Sequence, residues 1–203
     1  MPQNLSLSRL SETRQNSVIA SGYYLTENTQ VTAFEQFEIQ PYQSCYAREV
    51  SELFHLCVHN ITHVRYSQAQ LFAWSAAPRS AKHWDLRLNR SKAWVVLAKN
   101  VATASSMCCG FINVETHFAH QGYVDSLYIH PDYQAKGLGE RAYRVLEAWA
   151  KAQGYARLSV DASYLSKGLF TRMGFIQIQR SYQQKLGQVI PGFYMEKNME
   201  KNI

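Results

Sequence analysis

Apolar residues between Tyr46 and Ile61 recur every three or four positions, which is the spacing of a helix that buries one face. Ser67 followed by Gln70 has the form of a capping box and predicts a second helix that reaches Trp74. Further helical segments are predicted at 84–88, 142–150 and 165–173.

Compact runs rich in β-branched, aromatic and other apolar residues predict the strands. These runs lie at 37–41, 93–98, 107–114, 123–129, 158–160, 175–179 and 193–196. Their order among the helices implies a mixed sheet covered by helices on both faces. We therefore predict an α/β sandwich in one domain, at 34–203, after a polar tail or accessory arm at 1–33.

Length, charge and cysteine content limit the classes of protein to which the chain can belong. A chain of 203 residues with 46% hydrophobic content suits one domain with a sizeable core. The net charge of +6 favours an anionic partner, but the basic residues are scattered singly, so nucleic acid is a minority interpretation. The absence of about 18 consecutive apolar residues argues against a membrane span and favours the cytosol. The four cysteines lack metal-ligand spacing, so we expect no metal.

The stretch 124–139 runs from a predicted strand into a predicted helix. Gly137 and Gly139 have no Cβ, so a ligand can approach the backbone closely. The following helix presents unpaired N–H groups and the positive end of its dipole. A pyrophosphate fits such a turn, and a tight turn without a ligand is the alternative.

The same glycines also fit a dinucleotide-binding fingerprint. Gly137, Gly139 and Ala142 match its G-x-G-x-x-A form, and Asp161 lies at a tolerable distance beyond. In that fingerprint the turn follows the strand at once, whereas here Pro131 and its neighbours intervene. The fingerprint is therefore the weaker alternative.

Two ordered motifs resemble those of one enzyme family. A strand ending in Leu-x-Val/Ile-x-Pro leads to Gln/Arg-x-x-Gly-x-Gly/Ala, matched here by Leu127, Ile129, Pro131, Gln134, Gly137 and Gly139. After the strand at 158–162, an aromatic-x-x-x-Gly-Phe motif occupies 170–175. From about Phe37 to Lys197 the sequence therefore resembles the GNAT acetyltransferase superfamily. The stretch 66–74 is similar to a poorly characterised bacterial branch of it.

The resemblance implies a mixed, mostly antiparallel sheet of six to seven strands and an acetyl-CoA-dependent N-acetyltransferase. In that family the strand bearing Leu127 splays from the strand bearing Val160, and the pantetheine arm lies between them. An amine attacks the thioester directly, and the Leu127 N–H would stabilise the tetrahedral oxyanion by roughly 3 kcal/mol. The residues implied in coenzyme binding are Leu127, Tyr128, Ile129, Gln134, Ala135, Lys136, Gly137, Leu138, Gly139, Glu140, Ser163 and Phe170.

The general base needs a carboxylate or an imidazole near this gap. Asp125 is the first candidate, because it lies two residues before Leu127 and hence nominally on the same strand face. Pairing of Asp125 with an arginine, or capping of a loop, is an equally open alternative. The reserves are His59, His63, Glu115 and His117.

At the position of the family's general acid, the sequence departs from the family pattern. The usual tyrosine, four residues before the glycine of Gly-Phe, is Phe170 here. Either Tyr164 or Tyr194 protonates the thiolate, or the thiolate leaves without help. Ser163 stands at the family's polar position and would bond the pantetheine arm or cap the helix.

The resemblance places the acceptor among the first two helices and the last strands, which supply His59, Tyr66, Trp74 and Tyr194. Aromatic walls suit an apolar or cationic amine, on a small molecule or on a peptide. Packing in the core is the alternative role for each of these side chains. A coenzyme-binding module without catalysis is the alternative function. An exposed edge strand near the C-terminus would suit a homodimer.

Overall fold

The computed structural model describes residues 36–100, 103–117 and 121–199, so the tail predicted at 1–33 lies outside the described residues. The helices are α1 (Ala47–His59), α2 (Gln68–Trp74), α3 (Ala81–Asn89), α4 (Leu138–Ala152) and α5 (Lys167–Arg172). The strands are β1 (Gln36–Pro41), β2 (Lys92–Lys99), β3 (Ser106–Val114), β4 (Tyr123–Ile129), β5 (Arg157–Ala162), β6 (Ile176–Lys185) and β7 (Gln188–Asn198).

The seven described strands form one sheet in the order β1-β2-β3-β4-β5-β7-β6. Neighbours run antiparallel except β4 and β5, which are parallel and are joined through the crossover helix α4. The predicted mixed, mostly antiparallel sheet is confirmed.

Helices cover both faces of this sheet. On one face, Ala142 and Leu146 of α4 and Phe170 of α5 pack into the larger core. On the other face, Val50 of α1 and Trp84 of α3 pack against β2 and β3. Burial of these apolar side chains is the main stabilising term of the fold. The ends of β4 and β5 lie between these two layers of helices.

The predicted capping box at the start of α2 is confirmed. The Ser67 hydroxyl accepts from the Gln70 N–H at 3.2 Å, and the Gln70 side-chain oxygen accepts from the Ser67 N–H at 2.8 Å. The Gln70 amide also donates to the Val189 carbonyl at 2.7 Å. One local motif therefore starts the helix and ties it to β7.

The last two strands are longer than the sequence pattern predicted. The pattern indicated strands at 175–179 and 193–196, whereas β6 covers ten residues and β7 covers eleven. The residues of β6 are exposed or half-buried, because it is an edge strand of the sheet, so its sequence carries little apolar alternation. Within the described residues, no helix is long and apolar enough to cross a membrane.

Candidate active site

The parallel strands β4 and β5 separate soon after they meet. They pair only at Tyr123 with Ser159 and at Val124 with Val160. Beyond Val124 the edge of β4 that faces β5 leaves the ladder. A cavity of about 410 Å³ opens at this point and is lined by both strands, the turn before α4, helix α5 and side chains of α1 and α2.

Most residues that the resemblance assigned to coenzyme binding line this cavity, and Lys136 does not. The lining members of that set are Leu127, Tyr128, Ile129, Gln134, Ala135, Gly137, Leu138, Gly139, Glu140, Ser163 and Phe170. The Lys136 ammonium instead lies 5.0 Å from the ring centre of Tyr133. Residues that the sequence did not single out also line the cavity: Cys57, Ile61, Tyr133, Leu165, Ser166, Gly168, Leu169 and Arg172.

The turn before α4 has an unusual backbone. Ala135 has φ of 58° and Gly137 has φ of 73°, both in the left-handed region that favours glycine. An added Cβ at Gly137 would meet no heavy atom within 4 Å, so the space beside this residue is open. Glycine is favoured here because of its left-handed φ, not because a side chain would clash. At Gly139 an added Cβ would come within 3.0 Å of the Leu169 side chain.

This turn also presents free amide groups. The Arg141 N–H donates to the Gly137 carbonyl at 3.0 Å and begins the helical ladder. Gly137 caps α4 without a side-chain hydrogen bond, so the N–H groups at 138–140 lack intrahelical acceptors. These amides and the helix dipole favour an anion. The fit to a pyrophosphate therefore rests on the backbone, with Arg172 of the cavity wall as an additional cation.

Leu127 directs its backbone groups away from β3. Hydrogen-bonded pairs alternate along an antiparallel ladder, and the His130 N–H donates to Cys109 at 2.8 Å, so Leu127 and Ile129 face the opposite edge. Consistently, the Ile129 carbonyl accepts from the Gln134 side chain at 3.0 Å and from the Cys57 thiol at 3.3 Å. The Leu127 N–H is thus available on the side of the gap.

Asp125 and Leu127 do not share a strand face. The register between β3 and β4 shifts at Asn113/Val114, which leaves Asp125 as the extra residue of a β-bulge. Leu127 packs into the core beneath α4, whereas Asp125 contacts α3 on the other face through Arg87. The strict alternation assumed for this strand fails at the bulge.

The Asp125 carboxylate is occupied by hydrogen-bond donors. Arg87 approaches both oxygens, with its Nη2 2.7 Å from each and its Nε 3.1 Å from Oδ2. Asn113 and Ser126 also donate to Oδ2, at 3.3 and 3.2 Å. Of the two roles left open for Asp125, the structure shows the pairing with an arginine, although the residue lines the cavity.

A second carboxylate, Asp161 of β5, lines the same cavity. Its Oδ2 accepts from the Tyr123 hydroxyl at 2.9 Å. Among the described residues, no cation lies within ion-pair distance of Asp161. In the sequence, Asp161 fits only the dinucleotide fingerprint, and no local signal marks it as a base.

Neither tyrosine suggested as the acid lines the cavity. The Tyr164 hydroxyl accepts from Arg180 at 2.8 Å, and its ring stacks on His63. The Tyr194 hydroxyl donates to Glu196 at 2.7 Å, and this bond raises the pKa of Tyr194. Phe170 packs edge-on against neighbouring aromatic rings in the core. Both tyrosines therefore lie outside the cavity wall.

Tyr128, which follows Leu127, also lines the cavity. Burial raises the pKa of Tyr128, and a hydrogen bond from the Trp74 side chain opposes this effect. Because an indole N–H can only donate, the Tyr128 oxygen accepts and keeps its own proton for another acceptor. The sequence had marked Tyr128 only through its place in the coenzyme motif.

The acceptor residues implied by the resemblance separate into two groups. Trp74 lines the cavity. His59 donates from Nε2 to the Ser75 carbonyl at 2.8 Å, and the Tyr66 hydroxyl donates to the Pro191 carbonyl at 3.1 Å. These two side chains join elements of the fold and do not line the cavity, nor does Tyr194. The reserve bases His63, Glu115 and His117 also lie outside its wall.

Comparison with known proteins identifies the family. The sequence model of the acetyltransferase (GNAT) family matches residues 33–175. The uncharacterized N-acetyltransferase YafP of Escherichia coli is 28% identical over 158 residues, which cover 78% of this chain and 93% of YafP.

Two solved structures illustrate the shared fold. A GCN5-related N-acetyltransferase from Rhodopseudomonas palustris is 24% identical, with a TM-score of 0.69 over 85% of this chain and 100% of that one. The acetyltransferase yncA of Salmonella typhimurium, solved with its cofactor acetyl-CoA, is 16% identical, with a TM-score of 0.61 over 82% of this chain and 95% of that one.

Proposed function

Because the chain belongs to the GNAT acetyltransferase family, we propose that it transfers the acetyl group of acetyl-CoA to a primary amine. The observation that carries this proposal is the gap between β4 and β5. That gap joins the free amides at 138–140 to the backbone of Leu127 within one cavity. Family membership makes the protein an acyltransferase. The proposal adds that the acceptor is a primary amine.

The coenzyme would be held mainly by backbone groups. The pyrophosphate would accept from the amides of the turn 134–139 and of the first turn of α4, where the left-handed residues turn successive N–H groups outward. The pantetheine arm would lie along the free edge of β4, with Ser163 within reach and Phe170 beneath it. Such binding requires few specific side chains.

The chemistry follows from three groups in the cavity. The amine nitrogen forms a C–N bond with the thioester carbon, and the carbonyl oxygen becomes an oxyanion beside the Leu127 N–H. Asp161 accepts the proton that the amine loses. The C–S bond then breaks, and Tyr128 supplies a proton to the departing thiolate. The products are an amide and free coenzyme A.

Asp125 remains the alternative base. It lines the cavity as Asp161 does, but its two oxygens already accept hydrogen bonds from four donor atoms, two of Arg87 and one each of Asn113 and Ser126. Asp161 accepts from Tyr123 through one oxygen and has more capacity for an amine. Tyr164 and Tyr194 remain the alternative acids only if the loop at α5 or the end of β7 rearranges.

A coenzyme-binding module without catalysis is the second candidate function. It is favoured by Phe170, which occupies the family's tyrosine position. Release of free thiol from acetyl-CoA in the presence of an amine panel separates the two functions. Thiol release with amide formation supports catalysis, and tight binding without release supports the module.

Calorimetric titration with acetyl-CoA tests the proposal. The parent protein should bind, and Gly137→Asp should not, because it places a carboxylate where the pyrophosphate would lie. Gly187→Asp is the matched control, since Gly187 has a similar φ of 76° and open space around its missing Cβ. Loss of binding in both variants, or no binding by the parent, would contradict the proposal.

The homodimer also stays a prediction. β6 is one of the two edge strands of the described sheet, and Ile176, Ile178 and Tyr182 on it are exposed. An exposed apolar edge suits pairing with a second copy of the chain. Sedimentation of the purified protein measures the assembly directly.

A further inference from the structure

A second cavity, of about 390 Å³, adjoins the first. Trp74 lines both, so its side chain forms the wall that they share. The remaining wall consists of the loop after α2, the ring of Phe54 and the tip of the β6–β7 hairpin at Leu186. This cavity lies beyond the residues to which the coenzyme and the reaction are assigned.

The loop that walls this cavity is held firmly by α1. The Ser51 hydroxyl donates to the Arg79 carbonyl, and His59 donates to the Ser75 carbonyl at 2.8 Å. His55 forms a further hydrogen bond of 2.9 Å with the Ser75 hydroxyl. The wall is therefore preformed, which reduces the entropic cost of binding a ligand there.

Basic side chains surround this end of the site. Arg79 lines the second cavity, and Lys185 precedes Leu186 at the hairpin tip. Within the ranges that the structure describes, neither Arg79 nor Lys185 pairs with a carboxylate, whereas Arg87 pairs with Asp125. The positive charge here exceeds the negative charge available to neutralise it.

The electrostatics of neighbouring groups support this excess. Burial lowers the pKa of Lys185, and the positive charges of Arg87 and Arg79 lower it further, whereas the Asp125 carboxylate raises it. Burial likewise lowers the pKa of His83, with Arg79 and Arg87 acting in the same direction. The two arginines and Lys185 therefore lie close enough to repel one another, and an anion among them would relieve the repulsion.

We infer that the acceptor is a small amine that carries a carboxylate at the end remote from the reacting nitrogen. Its amine would lie in the first cavity beside Tyr128, and its carbon chain would pass along Trp74. Its carboxylate would bind Arg79 of the second cavity and Lys185 at the adjoining hairpin tip. This inference rests on the proposed function and names the substrate class of the same site. It adds a remote carboxylate to the apolar or cationic amine that the aromatic wall suggests.

Paired probes of equal chain length test the inference. β-Alanine, γ-aminobutyrate and ε-aminocaproate are compared with propylamine, butylamine and hexylamine by calorimetry, each in the presence of saturating coenzyme A. A charge-assisted hydrogen bond to a fixed cation should make at least one aminocarboxylate bind about tenfold or more tightly than its alkylamine partner. Acetylation of the same pairs in the presence of acetyl-CoA should follow the same order.

Variants assign the effect to the basic residues. Arg79→Gln and Lys185→Gln should each reduce the preference for the aminocarboxylate, and the double variant should abolish it, with acetyl-CoA affinity unchanged. Lys151→Gln, which removes an exposed cation at the far end of α4, is the control and should keep the preference.

The outcomes separate this inference from the proposed function. Tight binding of acetyl-CoA with equal or better binding of alkylamines overturns the inference alone. So does the failure of every aminocarboxylate to bind, or a preference that survives in the double variant. Failure of the parent to bind acetyl-CoA overturns the proposed function instead.

Discussion

The guanidinium of Arg87 donates to both carboxylate oxygens of Asp125, with Nη2 2.7 Å from each. The two residues are separated by 38 positions in the chain and join α3 to the bulge of β4. This contact lies where β4 leaves β5, so it fixes the strand at the mouth of the cavity. The ion pair is therefore expected to support the shape of the site.

Asp125→Asn should destabilise the fold by about 1 kcal/mol, because it leaves Arg87 without a carboxylate partner and the side chain of Arg87 is partly exposed to solvent. The free energy of unfolding, measured in urea, checks this value. Glu52→Gln is the control, since it breaks an exposed pair with Arg48 and should cost less. Equal losses in the two variants would mean that the Arg87 pair has no special structural role.

Asp161→Asn should reduce kcat by about 10²-fold or more, with little change in acetyl-CoA affinity, if Asp161 takes the proton from the amine. Steady-state kinetics with an accepted amine and calorimetry with acetyl-CoA measure the two quantities. Tyr123→Phe removes the hydroxyl that bonds Asp161 and should have a smaller effect. If Asp125→Asn abolishes turnover and Asp161→Asn does not, the base is Asp125.

Tyr128→Phe should lower kcat by about tenfold or more, because Tyr128 lines the cavity beside Leu127 and its hydroxyl is the proposed acid. Tyr164→Phe and Tyr194→Phe should leave kcat nearly unchanged, since their hydroxyls are bonded to Arg180 and Glu196 outside the cavity. Single-turnover kinetics isolate the chemical step. If none of the three variants slows that step, the thiolate leaves without an acid.

Iodoacetamide should label Cys45 in the native protein at mildly alkaline pH, because Cys45 is exposed and the other three cysteines are buried. Burial raises the pKa of Cys57 to about 12 and that of Cys109 to about 11, and it also raises the pKa of Cys108, so these thiols hold little reactive thiolate.

Mass spectrometry of the labelled protein counts the modified sites. Cys45→Ser should remain unlabelled until the protein is unfolded. Rapid native labelling of Cys57 would show instead that reagent reaches the cavity wall, since Cys57 lies there.

Local sequence patterns were informative wherever neighbouring residues decide the structure. The capping box of Ser67 and Gln70 starts α2 as predicted, because its two hydrogen bonds join residues three positions apart. The turn with Gly137 precedes α4 for the same reason, since a left-handed dihedral angle selects glycine locally. The succession of helices and strands along the chain, and hence the mixed sheet, also followed from these patterns.

Long-range contacts decided which side chains are available as candidate base and acid. Alternation along an unbroken strand placed Asp125 and Leu127 on one face, but the bulge in β4 separated them. The partner of Asp125 of β4 lies on helix α3, and the partner of Tyr164 lies on β6. No spacing along the chain indicates such pairs.

By itself the sequence indicated the family through the resemblance of its two motifs. It also determined the sheet with its helices and the glycine turn, because apolar periodicity and backbone dihedral preferences act over a few residues. Only the tertiary structure decided which side chains meet at the gap between β4 and β5. It engages Asp125 with Arg87, leaves Asp161 and Tyr128 in the cavity wall and places Arg79 beside a second cavity. Those encounters depend on how the helices pack on the sheet, and that packing is set by the whole core at once.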